Sequence, residues 1–344
     1  MGYLLSLMGI AVGAGNVWRF SRIVAQNGGG SFLIPWTLFL FIWSLPLIMA
    51  ELALGRKFRK APIGTMVNVA GKNFAWMGAF IALVTTAILF YYSVVVGWGF
   101  RYFFYSLTGY LSSTTDHRQI WDNYTHSLQP LFCHFCSILI GTFVVYKGIT
   151  KGIEKANRFL IPALLIMMFI ILVRALTLPG AWDGVAFLFK PHLKDLLNYK
   201  VWLEALTQNA WDTGAGWGLI LVYAGYARNK ESITKNACIT GFTNNIVSLF
   251  MGILIFSTAF ALESQAGIEQ MISGVGSTNI GITFIYLPKL FMSLPGGSGV
   301  QSTFAAIFFL SFAFAALSSM LSMVQLTVQT ICELGVKKNT ALLV

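Results

Sequence analysis

The sequence predicts an all-α, polytopic membrane protein, and three observations carry that prediction. Of its 344 residues, 56% are hydrophobic and only 10% are charged, against about 25% charged in soluble domains. Mean hydropathy is +0.72. Apolar stretches long enough to cross a bilayer as a helix, about 20 residues each, recur along the whole chain. Eight spans are read, at roughly 2–24, 31–54, 75–106, 131–148, 158–176, 201–227, 237–262 and 302–333. A soluble core does not need eight runs of this length.

Span 1 is interrupted at "GIAVGAGN", Gly9 to Asn16. Span 2 ends in "ELALGR" and is followed by Arg56, Lys57, Arg59 and Lys60. Span 3 carries Ile88 and Tyr92 one helical turn apart, on one face. Span 4 holds "CHFC", with Cys133 and Cys136 flanking His134. No second ligand pair accompanies it, so packing accounts for it better than a metal site. Lys147, Lys151, Lys155 and Arg158 run from the end of span 4 to the start of span 5. Span 6 breaks at "WDTGAGWG", Trp211 to Gly218, and Arg228, Lys230 and Lys235 follow it. Span 7 carries Asn244, span 8 carries the adjacent pair Ser318 and Ser319, and Lys337 and Lys338 come after.

The basic clusters all fall on one side of the bilayer, so the positive-inside rule makes that side, and the N-terminus, cytoplasmic. The connections 107–130, 177–200 and 263–301 are then external, and hold Asp116, Asp122, Asp183, Asp195, Glu263 and Glu269. A net charge of +11 spread over short loops is no nucleic-acid surface. The partner it implies is the lipid bilayer of a cell membrane. No Ser–His–Asp, metal or phosphate-loop constellation points to an enzyme.

The two interrupted spans point to function. Unwound backbone inside hydrocarbon leaves N–H and C=O groups unpaired, at several kcal/mol each, unless it lines a polar cavity. Paired glycine-interrupted helices in corresponding halves mark a transporter site. Asp212, in the middle of span 6, adds an ionisable group at membrane depth, where a cation offsets its burial.

"GIAVGAGNVWRF", "QNGGGSFLIPW" and "ELALGR" together resemble the first two helices of the neurotransmitter:sodium symporter family. The resemblance continues through Tyr91 and Tyr92, "KGIEKANRFLIP", "VYAGYARNKES", Asn244 and "AALSSMLS". It implies two pseudo-symmetric five-helix repeats in a single transmembrane domain over 1–344, the first repeat at 1–176 and a partial second at 201–344. It also implies sodium-coupled import of an amino acid by alternating access. The first sodium site is expected at the Ala11 carbonyl, Asn16, Asn244 and Asp212, where most relatives have a hydroxyl at the last position. The second is expected at the carbonyls of Gly9, Val12 and Ala315 with the hydroxyls of Ser318 and Ser319. Oxygen ligands suit a hard cation.

The resemblance places substrate among Ala11, Gly13, Ala14 and Gly15 of span 1, Ile88 and Tyr92 of span 3, Trp211, Thr213, Gly214 and Trp217 of span 6, and Ser319 and Met323 of span 8. Monoamine carriers of the family bear an aspartate where Gly13 stands, so glycine favours an amino acid; the aromatic walls at Trp211 and Trp217, with space added by Gly214, favour a neutral, apolar or medium-to-large one. The two tryptophans leave open whether only a small substrate fits. Chloride-dependent relatives bind the anion through residues matched here by Gln208 and Ser248. Their tyrosine is Trp36 in this chain and their span 6 hydroxyl is Asp212, so chloride is expected not to be required. Arg19 resembles the outer-gate arginine, whose acidic partner lies on the tenth helix in the family. Tyr226 and Glu333 resemble parts of the inner gate. The family core has ten helices and about eight are read here, which suggests C-terminal truncation. The alternative function is therefore a non-transporting relative acting as a binding partner in the membrane.

Overall fold

The computed structural model describes residues 12–112, 116–147, 150–225, 232–273 and 280–342, with the backbone alone for 150–160. Every regular element among these residues is helical. Five helices are long and apolar enough to cross a membrane: Gly30–Phe58, Lys72–Leu107, Gln129–Lys147, Ile233–Leu262 and Gly297–Glu333. They are spans 2, 3, 4, 7 and 8. Span 5 is the helix Thr150–Leu176, after which the chain turns by 111° into Ala181–Leu197.

Spans 1 and 6 are not single helices. Span 1 bends at Val12 and Gly13, makes a wide π-helical turn at Gly15–Arg19 and continues as the α-helix Phe20–Gln26. Span 6 runs as Tyr199–Thr213, breaks, and resumes as Leu219–Ala224. Within that break Gly214, Gly216 and Gly218 have φ of 68°, 88° and 75°. Side chains rarely tolerate this left-handed region, so three glycines at alternate positions are what lets the chain leave the helix here.

Prolines and polar caps set the other irregularities. Pro46 has no N–H to give the carbonyl one turn back, and its ring crowds that turn. The preceding residues Leu40–Ser44 widen into a π turn that absorbs the mismatch. Asp116 caps the external helix His117–Thr125, accepting from the N–H of Arg118 at 2.9 Å. Asn198 caps Tyr199–Thr213 in the same way, and Ser232 caps span 7. Each satisfies N–H groups that a helix start leaves without partners.

Span 8 packs along span 3 and against spans 4 and 5, and span 7 lies against spans 1 and 5. The connections expected as loops carry helices of their own. One of them, Ile282–Met292, closes over span 1: Thr283 donates to the Val17 carbonyl at 2.8 Å. Close by, Trp18 Nε1 donates to the Ile280 carbonyl at 2.6 Å. Phe284 stacks on Trp121 with centroids 5.3 Å apart, amid Trp98 and Tyr102. This aromatic packing seals the bundle on the side of the 107–130 connection.

Candidate functional site

The two breaks face each other. The span 6 break frees backbone N–H groups, and one carboxylate collects them. Glu51 of span 2 accepts from Gly216 at 2.7 Å, Gly218 at 3.2 Å and Leu221 at 3.0 Å. It is only 7% exposed. The freed donors are thus answered by the protein itself. The signal was a lone acid inside an apolar helix.

Asp212 is 3% exposed and sits at the centre of a polar cluster. Gln208 Nε2 donates to its Oδ1 at 2.7 Å, and Ser248 donates to its Oδ2 at 3.0 Å. Asn16 Nδ2 lies 2.8 Å from Ser248 Oγ, 2.8 Å from Asn244 Oδ1 and 3.1 Å from the Asn244 carbonyl. Asn16 Oδ1 accepts from the Gly13 N–H at 2.9 Å, across the break of span 1. Spans 1, 6 and 7 are therefore tied at one point through Asn16, Asp212, Asn244 and Ser248. The oxygens gathered there, two amide and two carboxylate, are hard donors, and each accepts a hydrogen bond within the cluster. Gly15 touches this cluster closely: a Cβ built on it lies 2.5 Å from Asp212 Oδ1 and 3.0 Å from Trp211 Cδ1.

Beside the cluster is a small cavity, about 20 Å³ in volume, roughly room for one water. It is lined by Gly13, Gly15, Tyr92, Trp211, Asp212, Gly214, Trp217, Leu219, Ser319 and Met323. Eight of these were expected as substrate contacts, and Asp212 as an ion ligand. Leu219 was not foreseen. Trp211 and Trp217 meet edge to face with centroids 4.9 Å apart and fill much of the space. Tyr92 Oη accepts from the Ala14 N–H at 3.0 Å.

Three of the expected contacts, Ala14, Ile88 and Thr213, are not among the residues that line this cavity. Ile88 is half-buried against the core. Thr213 points towards span 2. Its hydroxyl bonds the Asn209 carbonyl at 2.7 Å and Ser44 at 3.2 Å, while Ser44 bonds Asn209 Oδ1 at 2.5 Å. This knot of polar groups joins spans 2 and 6 and holds the helix up to its break. Asn209 also donates to the Trp36 carbonyl at 3.0 Å, and the Trp36 ring packs on Phe20.

The second expected ion site is described in part. Ser319 Oγ lies 3.4 Å from the Ala315 carbonyl, and Ser322 donates to the Ser318 carbonyl at 3.1 Å. Val12 is buried. Gly9, Ala11 and Tyr226 lie outside the described residues.

Arg19 finds partners on span 6. Its guanidinium hydrogen-bonds Gln208 Oε1, lies 4.0 Å from Glu204 and sits 5.0 Å over the Trp211 ring. Gln208 thus bridges Arg19 and Asp212. Glu204, Gln208 and Asp212 recur every fourth residue on one helix face, a spacing visible in the sequence. Glu333 accepts from the backbone N–H groups of Ala61 at 2.7 Å and Gly64 at 3.2 Å, and so caps the helix Pro62–Ala70. In span 4, His134 Nδ1 pairs with Ser93 of span 3 at 2.7 Å, a link between helices.

Comparison with known proteins agrees with this geometry. A profile described as the Sodium:neurotransmitter symporter family matches residues 1–130 and 126–340. An uncharacterised sodium-dependent transporter of Methanocaldococcus jannaschii is 32% identical over 97% of this chain and 68% of its own length. A similarly named protein of Bacillus subtilis is 30% identical over 99% of this chain and 73% of its own length. A sodium-dependent serotonin transporter of Drosophila melanogaster is 29% identical, with 96% of this chain covering 58% of it. The crystal structure of MhsT in complex with L-phenylalanine superposes with a TM-score of 0.91 at 28% identity, over 99% of this chain and 76% of that one. The chain is a multi-pass membrane protein of transporter type, and it belongs to the sodium:neurotransmitter symporter family.

Proposed function

We propose that this protein couples the inward movement of sodium to import of a neutral, apolar amino acid by alternating access across a cell membrane, with its N-terminus cytoplasmic. Sodium is cargo here. The observation that carries the reading is the buried Asp212 carboxylate, set between two facing helix breaks and joined to Asn16, Asn244 and Ser248. A cation beside Asp212 would offset the cost of holding that charge at membrane depth. A first sodium is assigned to Asn16, Asp212 and Asn244 with the Ala11 carbonyl. A second is assigned to Ser318 and Ser319 with the carbonyls of Gly9, Val12 and Ala315. Gly13 leaves the substrate carboxylate free to approach Tyr92 and the span 1 backbone. The domain is read as inverted repeats, the first at 1–176 and a partial second at 201–344.

Chloride is not required in this reading. The two donors that chloride-dependent relatives would aim at the anion, Gln208 and Ser248, both donate to Asp212. The carboxylate supplies the negative charge in place. For the substrate, MhsT binding L-phenylalanine supports an apolar amino acid, while the edge-to-face pair Trp211 and Trp217 narrows the space for its side chain. The test is uptake of labelled glycine, alanine, leucine and phenylalanine into proteoliposomes under an inward sodium gradient. Sodium-dependent uptake of alanine that persists when gluconate replaces chloride is expected. Absence of sodium-dependent uptake of any of the four would overturn the reading, and loss of uptake in gluconate would overturn its chloride clause.

A further inference from the structure

On the flank of the bundle, spans 3 and 4 leave a groove of about 760 Å³ near their ends beside the 107–130 connection. Its walls are apolar: Phe100, Phe104, Leu128, Phe132 and Ile140 line it, and Phe104, Leu128 and Phe132 are largely exposed. Arg101 and Gln129 stand in it near the helix ends, with Ser137 deeper in, where its hydroxyl donates to the Cys133 carbonyl. The Arg101 guanidinium sits 4.4 Å from the Tyr105 ring centroid. Its Nε is buried and has no hydrogen-bond partner. Among the described residues no carboxylate pairs with it; the ion pairs there belong to Arg19, Arg118 and Lys289.

Dimensions identify what would answer this cation. Arg101 lies six residues before the end of span 3 at Leu107, about 9 Å along the helix, within reach of the headgroup layer for a snorkelling side chain. Ile140 lies eleven residues into the helix that starts at Gln129, about 16 Å, which is roughly half of a 30 Å hydrocarbon core. The groove therefore spans one leaflet, from the interface to mid-membrane. Its charge is at the interfacial end and its aromatic walls reach inward.

We propose that this groove is a phospholipid site. The lipid phosphate pairs with the Arg101 guanidinium, whose planar fork matches two phosphate oxygens. One acyl chain lies between spans 3 and 4 against Phe100, Phe132 and Ile140. The Gln129 amide at the mouth faces the ester region. An anionic headgroup is preferred, because the groove holds one positive charge and no negative one. The site is separate from the helix breaks and does not depend on what the protein carries.

The test titrates the delipidated full chain in detergent with phosphatidylglycerol, or with diacylglycerol of the same acyl chains, and reads one-to-one adducts by native mass spectrometry. Phosphatidylglycerol should bind at least about tenfold more tightly than diacylglycerol, the scale of one charge-assisted contact. Arg101→Gln should abolish that preference, while Arg118→Gln leaves it intact. Ile140→Trp fills the groove without touching the charge and should weaken both lipids alike. Equal phosphatidylglycerol binding by wild type and Arg101→Gln would overturn the proposal. So would undiminished binding of both lipids by Ile140→Trp, or the absence of a saturable adduct. Should Arg101→Gln fail to give monodisperse protein, the Ile140→Trp result decides.

Discussion

Replacing Glu51 by glutamine tests how the broken helix is held. The carboxylate accepts three backbone N–H groups from Gly216, Gly218 and Leu221. Glutamine keeps the volume and has one carbonyl oxygen. Turned towards Gly216 and Gly218, it sets its own NH₂ against the Leu221 N–H and leaves that donor unpaired, at about 1–3 kcal/mol. The two retained bonds lose their charge assistance, about 1 kcal/mol each. The gross loss is about 3–5 kcal/mol, and relief of the buried charge returns part of it. A net loss of roughly 2 kcal/mol, at the 2–4 °C per kcal/mol typical of chains of 150–250 residues, lowers the melting temperature by about 4 °C or more. Differential scanning fluorimetry of purified Glu51→Gln beside wild type reads this directly. A melting temperature within about 1 °C of wild type would show that the span 6 break does not depend on this carboxylate.

Three further outcomes follow from the geometry. Gly15→Ala forces a Cβ against Asp212 and Trp211, an overpacking cost of about 1–3 kcal/mol. It should weaken sodium-dependent amino-acid binding at least tenfold, and unchanged binding by scintillation proximity would contradict the close contact. Trp217→Ala opens the edge-to-face pair and should shift uptake from alanine towards leucine and phenylalanine; an unaltered preference would remove Trp217 from the pocket wall. His117 supplies a pH dependence outside the membrane. Burial, with Lys289 adding repulsion, pushes its pKa down to about 4. The unfolded chain takes up this proton near pH 6.5 and the folded chain resists it, so stability falls as pH drops from about 6.5 towards 4. His117→Gln should reduce the loss of melting temperature between about pH 7.5 and 5, and an equal loss in both proteins would refute the assignment.

The fold was legible because membrane helices announce themselves by length and apolarity. Spans 2, 3, 4, 7 and 8 emerge within a few residues of their expected limits. The break in span 6 was legible because its alternate glycines have no other reason to follow an acid at membrane depth. The lone acid Glu51 in an apolar helix marks a buried charge, but its role escaped because its partners are backbone N–H groups 165 to 170 residues away, which residue identity does not show. The side to which Thr213 points was not legible for a related reason. Its hydroxyl had two possible directions at the end of a helix, and Ser44 with Asn209, on the far side, decided between them. The resemblance puts the acidic gate partner of Arg19 on a tenth helix, and the contact with Glu204 stands beside that expectation. Glu204 lies on the same face as Gln208 and Asp212, so a search for carboxylates at four-residue spacing would have found it.

In the proposed function Asp212 holds a cation between the two helix breaks and stands in for chloride. Sodium titration of labelled alanine binding to the purified full chain, in chloride-free gluconate buffer, tests it most directly. Wild type should bind alanine only with sodium present. Asp212→Asn should need at least about tenfold more sodium, the scale of losing one charged ligand contact, and should regain affinity when chloride is added. Wild-type binding that is independent of sodium, or an unchanged sodium requirement in Asp212→Asn, would contradict the account.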